Sequence, residues 1–181
     1  MTRQAFLALG VLALAACGQQ TTSETTETAP AESSAPTAAM NDATFAQAVA
    51  NSDAFEIQSS ELAAQRAARQ EVKDFAAMMI RDHSQTTQEL AALAPQINLT
   101  PPAPQLDGLK QDRINALRSA SGEAFDDAYL DAQVAAHEEA VRTFEDYIAS
   151  AQAGPLRDWA NTTLPKLRTH LQQVEALENA T

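Results

Sequence analysis

Three histidines and one glutamate stand where hydrophobic residues are expected. His83, His137 and His170 are the only histidines in the 181-residue chain, and each falls inside a stripe of apolar residues at helical spacing. Glu56 interrupts a fourth such stripe in the same way. Imidazole nitrogen and carboxylate oxygen are donors that hold zinc, iron, manganese or copper(II). Each of the four residues lies near the middle of its stripe. If the stripes are helices of matched length packed side by side, the four side chains converge at one height and can ligate a single transition-metal ion. The same residues also fit a metal-free alternative, a buried network of Glu and His hydrogen bonds that fixes helix register. Taken singly, each histidine is most simply a core imidazole bonded to a neighbour; only the set of four raises the metal reading. Asp82 beside His83, Gln133 one turn before His137 and Tyr129 two turns before it are placed to orient the imidazoles. Met79 reads as core, and the pairs Asp126-Asp127 and Glu138-Glu139 read as solvated faces.

The elements that must position these residues are four helices, over about residues 43–67, 71–94, 124–151 and 156–179. Each is roughly 35–40 Å long at 1.5 Å per residue, and matched lengths suit antiparallel packing in a four-helix bundle. Gly154-Pro155 stops the third helix and starts the fourth, which makes them a tight hairpin. Between the second and third lies a long crossover with Pro95, Pro101, Pro102 and Pro104, followed by a shorter amphipathic stretch over 106–120. In that stretch Ile114, Leu117 and Leu109 are expected to cap one end of the bundle. The boundary between the first two helices is not announced. Arg66-Ala67-Ala68-Arg69-Gln70 offers no Gly, Pro or capping residue, and local signals alone allow one helix of about 52 residues. The expected fold is all-α, a ferritin-like four-helix bundle whose long crossover contains a short extra helix.

Composition narrows the function classes. Acidic residues number 24 against 12 basic ones, a net charge of -12, which excludes a phosphate-binding surface and so argues for no nucleic-acid partner. Five glycines disfavour a many-stranded β fold. The single cysteine rules out a disulfide framework and any multi-cysteine metal site. The chain opens with Met1-Thr2-Arg3 and an apolar run over 5–16, the layout of an export signal and too short to span a bilayer. Leu14-Ala15-Ala16-Cys17 resembles the lipobox of lipoprotein signal peptidase. That resemblance implies a signal peptide over 1–16 and a lipidated Cys17 that anchors the chain to a membrane. Gly18 at the next position points to the outer membrane, facing the periplasm. Residues 17–41 are rich in Thr, Ser, Glu, Ala and Pro and read as a disordered tether, leaving 42–181 for the bundle domain.

The run Val72-Lys73-Asp74-Phe75-Ala76-Ala77-Met78-Met79-Ile80-Arg81-Asp82-His83 resembles the signature of the bacterial domain-of-unknown-function 4142 family. Phe125-Asp126-Asp127-Ala128-Tyr129 leading to Gln133 and His137, and Leu164-Pro165 leading to His170-Leu171, agree with it. The resemblance implies an exported, often lipid-anchored, ferritin-like bundle and carries no activity with it. Diiron ferritin-like proteins place a Glu three residues before a His on two helices. Here those positions hold Ile80 and Leu167, so one metal ion fits better than two. No nucleophile elbow, phosphate loop or Cys/His pair occurs, and no catalytic residue is assigned. The sequence thus leaves two readings: a lipid-anchored bundle holding one transition metal, or a metal-free structural or interaction module of the cell envelope.

Overall fold

The computed structural model describes residues 40–180, so the signal peptide, Cys17 and most of the tether lie outside the described residues. Five α-helices follow one another: α1 (Asp42–Arg66), α2 (Gln70–Leu93), α3 (Gly108–Ser119), α4 (Glu123–Ser150) and α5 (Pro155–Glu178), with one 3₁₀ turn (Ala94–Ile97) after α2. No strand occurs among the described residues. None of the described helices is long and apolar enough to cross a membrane.

Local chemistry explains most of the boundaries. The Asn41 side chain accepts from the Thr44 amide, and Asp107 accepts from the Lys110 amide, so both helices start on an N-cap carboxamide or carboxylate. Pro155 occupies the first turn of α5, where its missing N–H costs nothing. The α3–α4 turn passes through Gly122 at φ 61° and ψ −142°, a conformation that a side chain would strain.

The α1–α2 turn obeys a different logic. Arg69 supplies no side-chain cap to α2. Instead Asp126, at the start of α4, accepts from the backbone amides of Ala68 (2.9 Å) and Arg69 (2.8 Å). The solvated reading of Asp126 is therefore corrected: it is buried because it caps another helix. Arg66 reciprocates on the other side of the turn, donating to the carbonyls of Arg118 (2.6 Å) and Ala120 (2.7 Å) at the end of α3.

The long helices form two antiparallel hairpins, α1–α2 and α4–α5, with α1 against α4 and α2 against α5. Apolar packing is concentrated at the two ends. At one end Phe45 stacks on Tyr147 (ring centroids 3.9 Å apart) among Phe144, Leu156 and Leu164. At the other, Val72, Phe75, Met79, Phe125 and Val174 form a second cluster. Between them lies a buried polar level containing Glu56, Ser59, His83, Gln133, His137 and His170.

Of the short helix, only Leu117 joins the apolar cluster at an end. α3 lies against α1 and α4, with Ile114 packed on Phe55, Ala132 and Ala136 in the middle of the bundle. Leu109 is 62% exposed, and the stripe position is taken by Lys110, which is buried with its ammonium on Glu139 (2.9 Å) and Asp107 (3.2 Å). Spacing decides this, because Lys110, Ile114 and Leu117 share one face and Leu109 lies off it.

Candidate metal centre

Each long helix delivers one of the four expected ligands to the polar level: Glu56 from α1, His83 from α2, His137 from α4 and His170 from α5. The three histidines meet. Their ring centroids form a nearly equilateral triangle of 5.6, 5.6 and 5.5 Å, and one donor nitrogen from each lies within 4.8 Å of the others. A tetrahedral ion with bonds of about 2.0–2.1 Å needs nitrogens on the order of 3.3 Å apart, so closing the set requires movements of about 1.5 Å or less.

The hydrogen bonds define which nitrogen of each ring is free. His137 Nδ1 donates to the Gln133 carbonyl oxygen at 2.9 Å, an acceptor with no proton to return. His83 Nδ1 stands 2.8 Å from Asp53 Oδ1, and His170 Nε2 stands 3.1 Å from Asp82 Oδ2, each carboxyl oxygen placed to accept from the ring N–H. The opposite nitrogens, Nε2 of His83, Nε2 of His137 and Nδ1 of His170, are buried with no hydrogen-bond partner. One face of every imidazole is thus tied to an acceptor and the other presents a bare lone pair. Metal-ligating histidines are oriented in this way.

Burial keeps the rings neutral. It pushes His83 down to about 4, His137 to about 3 and His170 to about 4, and Lys166 adds to the effect at His83 and His170. At neutral pH all three therefore carry the lone pair a metal needs.

Glu56 stands beside the triangle rather than in it. Its Oε1 lies 3.7 Å from His137 Nδ1, too long for a hydrogen bond, and both of its oxygens are buried without a partner. Burial pushes its carboxyl up to about 8. Glu56 makes no hydrogen bond to an imidazole, whereas Asp53 and Asp82 bond to His83 and His170.

The residues expected to orient the rings divide. Asp82 does so directly through His170. Gln133 does so through its backbone carbonyl, while its side-chain amide donates to Ser59 Oγ at 3.0 Å. Tyr129 does not: its hydroxyl is committed to Ser60 at 2.8 Å, and its ring sits between Phe75 and Phe125. Met79 packs in the apolar cluster, as expected of a core residue.

Sequence comparison gives the chain a family. The sequence profile described as "Domain of unknown function (DUF4142)" matches residues 27–177. The chain belongs to this family. No curated protein matches it. Among solved structures, one described as "CopM in the Cu(II)-bound form" is similar, with a TM-score of 0.65 and 18% identity over 77% of this chain and 96% of that one. At that identity the likeness establishes a shared helical bundle.

Within this DUF4142 chain, the residue that sequence reasoning missed is Asp53. It lies one turn before Glu56, is buried, and holds His83 through Oδ1 while its Oδ2 accepts from Thr87 at 3.0 Å. Burial pushes its carboxyl up, and the Thr87 hydroxyl counters by stabilising the ionised form. The available signal was its spacing from Glu56, three residues on one helix face, paired with a threonine four residues after His83.

Proposed function

We propose that the bundle binds one transition-metal ion through His83 Nε2, His137 Nε2 and His170 Nδ1, with Glu56 swinging in as a fourth ligand. The observation that carries this reading is the set of three unpartnered, buried ring nitrogens, each opposite a nitrogen tied to an acceptor. Leaving such groups unsatisfied in a core costs stability, and an ion satisfies them together. Glu56 fits the same need: its carboxyl, raised to about 8 by burial, gives up its proton on taking the ion and so supplies a balancing charge.

A nitrogen and oxygen donor set suits zinc or copper(II) over copper(I), which prefers sulfur. Copper(II) is the first ion to test, since the structurally similar CopM was solved with it. A site closed on all sides by helices fits holding an ion, for storage, sensing or cross-linking of the bundle. The family resemblance and the lipobox-like Leu14-Ala15-Ala16-Cys17 support placing this activity on a lipid-anchored protein of the cell envelope, probed by whether Cys17→Ser releases it from membranes.

The deciding experiment is elemental analysis of tag-free protein after equilibration with copper(II) and zinc. The expected result is one ion per chain, lost in His137→Ala. A chain that retains neither ion, with histidine ring resonances unmoved by either, is a metal-free module and ends this reading.

A further inference from the structure

The proposed site has no direct opening, which raises the question of how an ion reaches it. α3 covers the groove between α1 and α4, with Ile114 seated on Phe55 at the level of the site. The apolar clusters close the bundle above and below. Burial lessens along one line of neighbouring side chains from the site: His137 is 0% exposed, His170 3% and Asp82 8%. That direction leads out between α2 and α5.

Asp82 spans this gap. Its Oδ2 accepts from His170 Nε2 on the inside at 3.1 Å, and its Oδ1 accepts from Arg81 Nε on the outside at 2.8 Å. The Arg81 side chain is itself 68% exposed. One carboxylate therefore touches a proposed ligand with one oxygen and a solvent-facing cation with the other.

We propose that metal ions pass between α2 and α5, that Asp82 is the first protein ligand an arriving ion meets, and that Arg81 is the latch it displaces. The inference rests on the metal-binding reading and adds the route. A divalent ion competes with the guanidinium for Asp82 Oδ1, and an ion pair whose cation is solvent-facing gives way cheaply. From Asp82 the ion is one imidazole away from the triangle, because the same carboxylate holds His170. Lys166, partly buried one turn before His170, lies close enough to act electrostatically on both His83 and His170. It sets a second positive charge on this side. The passage is thus flanked by cations and led by one carboxylate, which makes it slow and dependent on Asp82.

Stopped-flow mixing of copper(II) with full-length wild type, Arg81→Ala, Asp82→Asn and Arg142→Ala tests this. Arg142 is an exposed residue of α4 paired with Glu138 and serves as the remote control. Removing the latch is expected to raise the association rate several-fold and the dissociation rate in step. Asp82→Asn is expected to slow association about tenfold, the scale of local electrostatic guidance. Arg81→Lys, which keeps the charge, should restore much of the wild-type rate. Association rates of Arg81→Ala and Asp82→Asn within twofold of wild type would overturn the route while leaving the site standing. Absence of binding by wild type would overturn site and route together. Because Arg81 is on the surface, its variants report even if Asp82→Asn folds poorly.

Discussion

At the scale of single residues, the centre is defined by which nitrogen is spoken for. Asp53, the Gln133 carbonyl and Asp82 each accept from one ring N–H, and their placement leaves three lone pairs free. Replacing Asp53 by Asn removes the carboxyl partner behind His83, and loss of such a partner lowers metal affinity about 10–100-fold. Titration calorimetry with copper(II) measures it; an affinity equal to wild type would deny Asp53 an orienting role. The stripped protein should also show a two-sided pH dependence. Free histidine titrates near 6.5, whereas His83, His137 and His170 do so at about 4, 3 and 4 when folded. Below pH 6.5 the unfolded chain takes up protons that the folded chain refuses, so stability falls as pH drops towards 4. Glu56 acts in the opposite direction: folded, its carboxyl titrates at about 8 instead of 4.5, so its contribution is full in acid and lost as pH rises through 8. Asp53, also raised by burial, adds to that side. Melting temperature of chelator-treated protein should peak between about pH 6 and 7, where the two effects cross. A profile flat from pH 4 to 8 would contradict the burial of these groups. The four metal-capable residues were legible in the sequence because polar side chains break an apolar period. Asp53 was not, since an acidic residue next to Ser52 on a half-exposed helix reads as surface until α2 brings His83 and Thr87 against it.

At the scale of elements, the periodicity located all four long helices within about a residue at each end. The turn between α1 and α2 escaped it because its cap comes from α4, 57 residues further on. Capping is usually read from the flanking sequence, and a cap supplied by tertiary structure leaves no local trace. The short helix misled for a related reason: Leu109 looks like a core residue in one dimension, but the face containing Lys110, Ile114 and Leu117 is the one that meets α1 and α4. Asp126→Ala strips two part-buried amides of their acceptor, and at roughly 1 kcal/mol for each lost cap bond it should cost about 2 kcal/mol. Urea unfolding followed by circular dichroism measures the loss. Asp127→Ala, one residue away on an exposed position, should change stability by less than about 0.5 kcal/mol. Equal effects of the two substitutions would refute the capping role.

At the scale of the whole domain, two apolar clusters hold the ends of the helices together, and the buried polar groups gather between them. The ends fix the height at which the histidines meet, so the three rings are brought together by the packing of the helices. An ion that binds only the folded chain stabilises it by about 2.7 kcal/mol at a free concentration 100 times its dissociation constant. For a domain of this size that is a rise in melting temperature on the order of 10 °C. Differential scanning calorimetry with and without copper(II) reads it, and His83→Ala should abolish the rise.

The borrowed acceptor at the first turn has a consequence for assembly. A hairpin kept bent by the far half of its own chain can straighten into a single rod when that hold is lost. The freed second half of one copy is then available to complete the first half of another. Asp126→Ala at high concentration should accordingly yield interlocked, domain-swapped dimers, detectable by size-exclusion chromatography, whereas wild type under the same conditions does not exchange its halves.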